Sequence, residues 1–233
     1  MKRFDFAGKF KKAVLVPIDK FRVGNKARYF EFMAKVHRLS DHTRWVFFDE
    51  KHLVNKDTLP GKVRANPLSG HVDAIGVSGD FRESYNLIAA ISCNLNKPRP
   101  MVYTMGKKNG TAESFMELMR RLISSGWLQH GDVVCMDNAR IHTGGEAVAL
   151  EGLLWDYEKD NRPLNIITVF LPTRSPELNP IELVFHILAR RIRSYRVRTG
   201  SGPTDNEVVR YASSVMDDIS VATIAKCYMH CGY

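Results

Sequence analysis

The chain has 233 residues, of which 44% are hydrophobic and 25% are charged, which is an ordinary globular composition. It contains no apolar run long enough to span a membrane, and its basic N-terminal segment lacks the apolar core and cleavage site of a signal peptide. The formal net charge of +9 predicts a polyanionic partner.

The positive charge is concentrated in two parts of the chain. Residues 1–48 contain twelve Lys or Arg but only four Asp or Glu. Two such clusters indicate contacts with a phosphate backbone, although charge alone is equally consistent with a solvated surface or an exposed helix face. The second cluster consists of Arg190, Arg191, Arg193, Arg196 and Arg198, with no acid between them.

Hydrophobic spacing predicts one helix and several strands in the first half of the chain. Residues 26–39 carry apolar side chains at helical spacing, from Tyr29 to Val36. The short apolar run 45–48 predicts a buried strand that ends just before Asp49. The predicted strands are 45–48, one near 74–77 within a long polar loop, 85–95 and 101–105.

Helices and strands alternate in the second half. Thr111 is the predicted cap of a helix that Gly126 ends, and Thr204 with Glu207 forms a capping-box pattern at the start of a later helix. This order predicts an α/β fold, a mixed β-sheet flanked by α-helices. The predicted elements are a helix over 112–125, a strand over 133–136, a helix over 146–158, a strand over 165–171, a helix over 181–193, a helix after 204 and a short helix over 221–228.

Three acids stand beside predicted elements. Asp49 and Asp137 follow predicted strands, and Glu182 lies in the first turn of the 181–193 helix. Carboxylates in such positions can converge on one edge of a sheet, where they would need a cation such as Mg²⁺ or Mn²⁺. On spacing alone, each acid could equally be a turn residue or a helix-dipole residue.

The segments around these acids resemble the catalytic blocks of mariner-like and related bacterial insertion-sequence transposases. The segments are FFDEKHL (47–53), MDNARIH (136–142) and LPTRSPELNPIELVF (171–185). The likeness extends over about residues 26–233, and the stretch 221–233 resembles the tail of eukaryotic members. The resemblance implies a DDE-type enzyme with an RNase-H-like fold.

The resemblance also implies roles for individual residues. Asp49, Asp137 and Glu182 match the catalytic triad that holds two Mg²⁺ or Mn²⁺ ions. Asn138 and His142 match companions of the second acid, and His142 is a candidate either to orient a phosphate or the attacking water, or to be a capping or core histidine.

The turn before Glu182 contains residues for which the sequence itself suggests a structural role. Pro176 and Pro180 restrict the backbone, and Pro180 stands next to the expected start of the helix. Asn179 is the expected N-cap and a supporting residue of the site.

The implied function is DNA transposition: cleavage at transposon ends followed by strand transfer. The partners would be double-stranded DNA and a second copy of the chain, with localisation in the nucleus of a eukaryote or the cytoplasm of a bacterium. The expected organisation is a basic arm and helix over 1–43, the catalytic domain over 44–198 and a helical extension over 199–233.

Two departures from the family pattern stand out. The interval between Asp137 and Glu182 is longer than usual, and the extra residues are expected around 144–163. The segment before Asp49 is also shorter than the helix-turn-helix domains with which these transposases begin. We therefore expect either a fragment or a chain that has lost its end-recognition domain.

Three alternatives remain open at the level of sequence. The chain could be a domesticated, catalytically silent DNA-binding protein derived from a transposase, or an RNase-H-like nuclease acting on RNA–DNA hybrids. Cys227, His230 and Cys231 could also bind zinc, but such a site would need a second ligand pair, and the sequence offers none at a recognisable spacing.

Overall fold

The computed structural model describes residues 18–53, 84–107, 112–137, 158–159, 162–199 and 204–233. Short 3₁₀ turns at Ile18–Phe21, His42–Arg44 and Pro176–Leu178 connect the larger elements. The predictions for 74–77, Thr111 and 146–157 lie outside the described residues, and residue 158, the predicted end of that helix, begins a strand instead. The elements are α1 (Val23–Arg38), β1 (Trp45–Leu53), β2 (Tyr85–Ser92), β3 (Met101–Gly106), α2 (Ala112–Ser124), β4 (Val133–Met136), β5 (Glu158–Lys159), β6 (Arg162–Pro163), β7 (Ile167–Phe170), α3 (Pro180–Thr199), α4 (Asp205–Asp217) and α5 (Val221–Cys231).

The main sheet is mixed, as the sequence predicted. Its five strands lie in the order β3-β2-β1-β4-β7. β2 pairs antiparallel with both β1 and β3, whereas β4 pairs parallel with both β1 and β7. β1 is therefore the central strand, and it connects the antiparallel half of the sheet to the parallel half.

Alternation along β1 builds a core on each side of the sheet. Trp45 and Phe47 belong to one core, with residues of α1, α3, α4 and α5. Val46 and Phe48 belong to the other core, with Phe115 and its apolar neighbours on α2. All four β1 residues are fully buried, so β1 and its first acid are fixed from both faces.

Several predicted boundaries were wrong, among them the end of β2, which is Ser92 rather than 95, and the start of α1, which is Val23 rather than 26. β1 does not end before Asp49 but continues to Leu53, because β2 pairs with it as far as Leu53 opposite Tyr85. α3 runs to Thr199 rather than 193, since neither Gly nor Pro interrupts it earlier. β7 begins at Ile167 because Asn165 adopts a left-handed backbone with φ of 49°.

The last helix is bound to the sheet through tyrosine hydroxyl groups. The Tyr228 hydroxyl lies 2.8 Å from the backbone oxygen of Trp45 and 3.0 Å from that of Ile91, so these two acceptors share its one proton and connect α5 to β1 and β2. Tyr233 packs its ring 4.9 Å from that of Phe47 and donates to the backbone oxygen of Leu178 at 2.8 Å. Residues 221–233 therefore belong to the same core as β1.

No described helix has the length and apolar character needed to cross a membrane.

Candidate active site

A pocket of about 220 Å³ opens at one edge of the main sheet. It is lined by Asp49 of β1, Asp137 immediately after β4, Glu182 in the first turn of α3, and the loop between β7 and α3. The structure thus brings together the three acids that the sequence singled out.

The parallel pairing of β1 and β4 explains why the first two acids meet. Trp45 pairs with Val133 and Phe47 with Cys135. Two residues further along each chain are Asp49 and Asp137, which therefore lie level with one another. By the alternation of β1, Asp49 also projects on the face of Trp45 and Phe47, which is the face that α3 covers.

The turn before α3 brings the third acid to the same place. α3 begins at Pro180, one residue before the predicted start, and the Glu182 amide donates to the Asn179 backbone oxygen at 3.1 Å. The side chain of Asn179 does not act as the expected cap. Its Nδ2 instead donates to Asp49 Oδ2 at 2.8 Å, and its Oδ1 has no hydrogen-bond partner among the described residues.

The pocket disfavours negative charge on its central carboxyl group. Burial, together with the neighbouring Glu182 and Asp137, raises the pKa of Asp49 from 3.8 to about 8, against a 2.7 Å hydrogen bond from the Glu50 amide. The pKa of Glu182 is also raised by desolvation and by Asp137, although Lys51 opposes the shift. Crowded acids with raised pKa values are typical of functional sites.

The donor set fits a hard divalent cation by its chemistry. Three carboxylates and an amide oxygen without a partner are the oxygen ligands that Mg²⁺ and Mn²⁺ prefer. Among the described residues, however, no three His, Cys, Asp or Glu side chains are already grouped closely enough to hold a metal ion. The acids share the pocket, and side-chain movement would have to bring them onto one ion.

The arginine cluster lies away from the pocket. Arg190 and Arg191 are exposed on α3, and Arg193 is partly exposed. With a rise of ~1.5 Å per residue, Arg190 lies roughly 12 Å along the helix from Glu182. Arg196 and Arg198 fall within α3 as well, but their side chains lie outside the described part of the chain, as do Asn138 and His142 entirely.

The sequence did not single out two further charged residues that lie at or beside the pocket. Glu50 is a fourth acid, and its pKa is raised by burial and, in smaller part, by Asp137; its place next to Asp49 could have suggested it. Arg174 lines the pocket in a left-handed conformation with φ of 57°. No sequence signal predicts that conformation for arginine, which is strained there.

The cysteines show no link to this site. Cys227 is buried in the core, and Cys231 is half-buried beside His230 near the turn at Pro176. Burial, and the neighbouring Cys227, raise the pKa of Cys231 to about 11, so its thiol is a poor source of thiolate.

Comparison with known proteins relates this pocket to a family. Residues 44–201 match the sequence profile described as DDE superfamily endonuclease. No curated protein sequence matches the chain.

Solved structures of the Mos1 mariner transposase share the fold. The paired-end complex with Mn superposes with a TM-score of 0.63 at 15% identity, covering 99% of this chain and 65% of that one. The pre-cleavage transpososome and the strand transfer complex each give 0.57 at 16% identity, covering 98% of this chain and 68% and 67% of theirs. The chain therefore has the RNase-H-like fold and spans about two thirds of the solved transposase.

Proposed function

The chain belongs to the DDE superfamily of endonucleases, and from this membership we propose that it is the catalytic part of a transposase that cleaves DNA and joins the freed end to target DNA. The observation that carries the proposal is the convergence of Asp49, Asp137 and Glu182 on one pocket. Structures of Mos1 with paired transposon ends and Mn, and after strand transfer, support the same chemistry for a protein of this fold.

In this proposal the three acids would hold two Mg²⁺ or Mn²⁺ ions, which when bound would activate the nucleophile and stabilise the leaving oxygen. Asp49 would hold an ion as the carboxylate, so binding would release the proton that its pKa of about 8 keeps on the metal-free group at neutral pH. Asn179 orients Asp49 through the 2.8 Å hydrogen bond. The chain itself contributes positioning and charge, so no Ser or Tyr nucleophile is required.

The proposed DNA contacts are the arginines of α3, from Arg190 to Arg198. Arg190 and Arg191 are exposed, and they belong to the helix whose first turn carries Glu182. A phosphate backbone that passes over α3 could thus continue toward the pocket. The second proposed partner is another copy of the chain, which light scattering at several protein concentrations would detect as a homodimer.

Nicking of plasmid DNA tests the proposed activity. The purified chain is assayed with Mg²⁺, with Mn²⁺ and with EDTA, beside Asp49→Asn and Asp137→Asn. Asp218→Asn is the matched control, since it makes the same chemical change at an exposed residue that ends α4. We expect metal-dependent cleavage by the wild type and the control only.

Two further substrates separate the alternatives. A short pre-nicked DNA end removes the need for end recognition, so strand transfer from it would support the proposal even if plasmid is not cut. A folded, metal-binding chain inactive on both substrates would instead be a catalytically silent DNA-binding protein. Preferential cleavage of an RNA–DNA hybrid would indicate the hybrid nuclease.

A further inference from the structure

Asn179 has a buried side chain that faces the pocket with one polar atom unused. The residue is 2% exposed and lines the pocket with the three acids. Its backbone is fully engaged, since its amide donates to Pro176 at 3.0 Å and its carbonyl accepts from Glu182 at 3.1 Å. The side-chain Oδ1 is shielded from solvent without a hydrogen-bond partner among the described residues, and such an atom next to a pocket can bind a water or an ion.

The orientation of the amide follows from the chemistry of Asp49. The ionised carboxylate, which is the form that binds a cation, can only accept hydrogen bonds. Asp49 Oδ1 accepts from the Glu50 amide at 2.7 Å, and Oδ2 accepts from Asn179 Nδ2 at 2.8 Å. In this ionised form the Asn179 NH₂ group must therefore face Asp49, and the amide oxygen is the atom left over.

We propose that Asn179 Oδ1 is an uncharged oxygen ligand of a divalent cation in this pocket, beside the carboxylate of Asp49. The inference rests on the proposed function and adds a ligand to its triad. Side-chain amide oxygens are ordinary ligands of hard cations. A neutral donor also adds a bond to the cation without adding to the repulsion that already raises the pKa of Asp49.

The two ends of the amide would then act together. Nδ2 fixes the carboxylate of Asp49, and Oδ1 completes the oxygen set around the ion. The rigid turn at Pro176–Leu178 holds the backbone of Asn179 in place, because Tyr233 donates to the neighbouring Leu178 oxygen at 2.8 Å. The turn before α3 therefore holds Asn179 beside Asp49 in the metal-free protein.

Calorimetric Mn²⁺ titration of the whole chain provides the first test. Asn179→Ala should lower Mn²⁺ affinity roughly tenfold to a hundredfold, whereas Asn179→Asp, which retains an oxygen, should bind at least as tightly as the wild type. The matched control is Asn86→Ala. Asn86 is also a buried asparagine with an unpartnered Oδ1, but it bonds to Glu50 and does not line the pocket, so its loss should leave Mn²⁺ affinity within about twofold, by the same reasoning.

A spectroscopic test separates a ligand from a residue that only orients Asp49. Protein containing asparagine labelled with ¹³C at the side-chain carbonyl should show ¹³C hyperfine coupling to bound Mn²⁺, and Asn179→Ala should abolish it. Weaker binding without coupling would overturn the assignment and leave a positioning role. Unchanged affinity in Asn179→Ala would overturn it too.

The outcomes also distinguish this inference from the proposed function. Mn²⁺ binding that needs Asp49 but not Asn179, with DNA cleavage intact, would refute the inference alone. Binding that needs Asn179, in a chain that cleaves and joins no DNA, would refute the proposed function alone.

Discussion

Asp49 on β1 lies level with Asp137 beyond β4, because the parallel register that pairs Phe47 with Cys135 carries both chains to the pocket together. The fold thus places two carboxyl groups side by side and adds a third from Glu182, which contributes to the raised pKa of Asp49. The metal-free protein has to accommodate this repulsion, and several of its properties should show it.

The metal-free protein should lose stability as the pH rises. The pKa of Asp49 is 3.8 in a model peptide and about 8 in the fold. Between these values the folded chain keeps a proton that the unfolded chain has released, so the free energy of unfolding falls with rising pH, by about 6 kcal/mol at most. This contribution is complete below pH ~4 and is lost as the pH passes ~8.

Urea unfolding in EDTA at pH 5, 6.5 and 8 measures this loss. The Asp49→Asn variant has no such proton to lose, so its stability should decline less over the same range and exceed that of the wild type at pH 8. The stability of this variant should still fall slightly with rising pH, because the pKa values of Glu50 and Glu182 are also raised. Equal slopes in the two proteins would contradict the raised pKa of Asp49.

The buried ion pair on the other side of the molecule should be strongly coupled. Lys97 Nζ contacts Asp132 Oδ2 and donates to the Trp127 oxygen, each at 2.6 Å, with both charged side chains essentially inaccessible. Lys97→Met leaves a buried carboxylate without its cation and should cost about 3–5 kcal/mol. The double variant Lys97→Met/Asp132→Asn should lose much less unfolding free energy than the sum of the losses in the two single variants. Urea unfolding of all four proteins, as a double-mutant cycle, measures this difference.

An ion pair at the protein surface should contribute much less to stability than the buried pair. Lys20 contacts Glu177 at the protein surface, where solvent screens the charges. Lys20→Met should change the unfolding free energy by about 1 kcal/mol or less. A loss as large as that of Lys97→Met would show that burial is not what makes the Lys97 pair important.

The Tyr233 hydroxyl should stabilise the turn that carries Asn179. Burial raises the pKa of Tyr233 far above its ordinary value, so the hydroxyl keeps its proton and donates to Leu178. Tyr233→Phe keeps the ring packing and should cost about 1 kcal/mol. Tyr228→Phe leaves two buried backbone oxygens, on β1 and β2, without the donor that they share and should cost more; the reverse order in thermal unfolding would contradict these contacts.

Charge reversal on α3 should weaken DNA binding. If Arg190 and Arg191 each bind a phosphate group, Arg190→Glu/Arg191→Glu should reduce the slope of log affinity against log salt by about one for each of these phosphates. Arg120→Glu/Arg121→Glu on α2 makes the same change in net charge across the sheet and should have little effect. Fluorescence anisotropy with a short duplex measures both, and equal reductions in affinity would show that only net charge matters.

Local sequence patterns predicted much of this architecture but little of the site's detail. The apolar run at 45–48 and the helical spacing over 112–125 reflect burial, which acts at short range, and both predictions were correct. The extension of β1 to Leu53 depends on its partner β2, so the polar residues after Phe48 were misleading.

Local sequence patterns could not predict contacts between segments that are distant along the chain. Asn179 and Asp49 are 130 positions apart, and the residue type alone favoured a helix cap over a hydrogen bond to a carboxylate. The left-handed backbone of Arg174 is likewise imposed by the fold around it. The sequence thus supplied the identities of the acids, and the structure supplied the groups that hold and neighbour them.

The tyrosine contacts of α5 bear on how the protein can be divided. The match to the family ends at residue 201, yet Tyr228 and Tyr233 lie beyond it and pack on the apolar side of β1. Tyr233 also donates a hydrogen bond to the turn before α3. A fragment cut at that family boundary would expose Trp45 and Phe47 to water and would be prone to aggregate. Any minimal catalytic unit made from this chain should therefore retain residues 204–233.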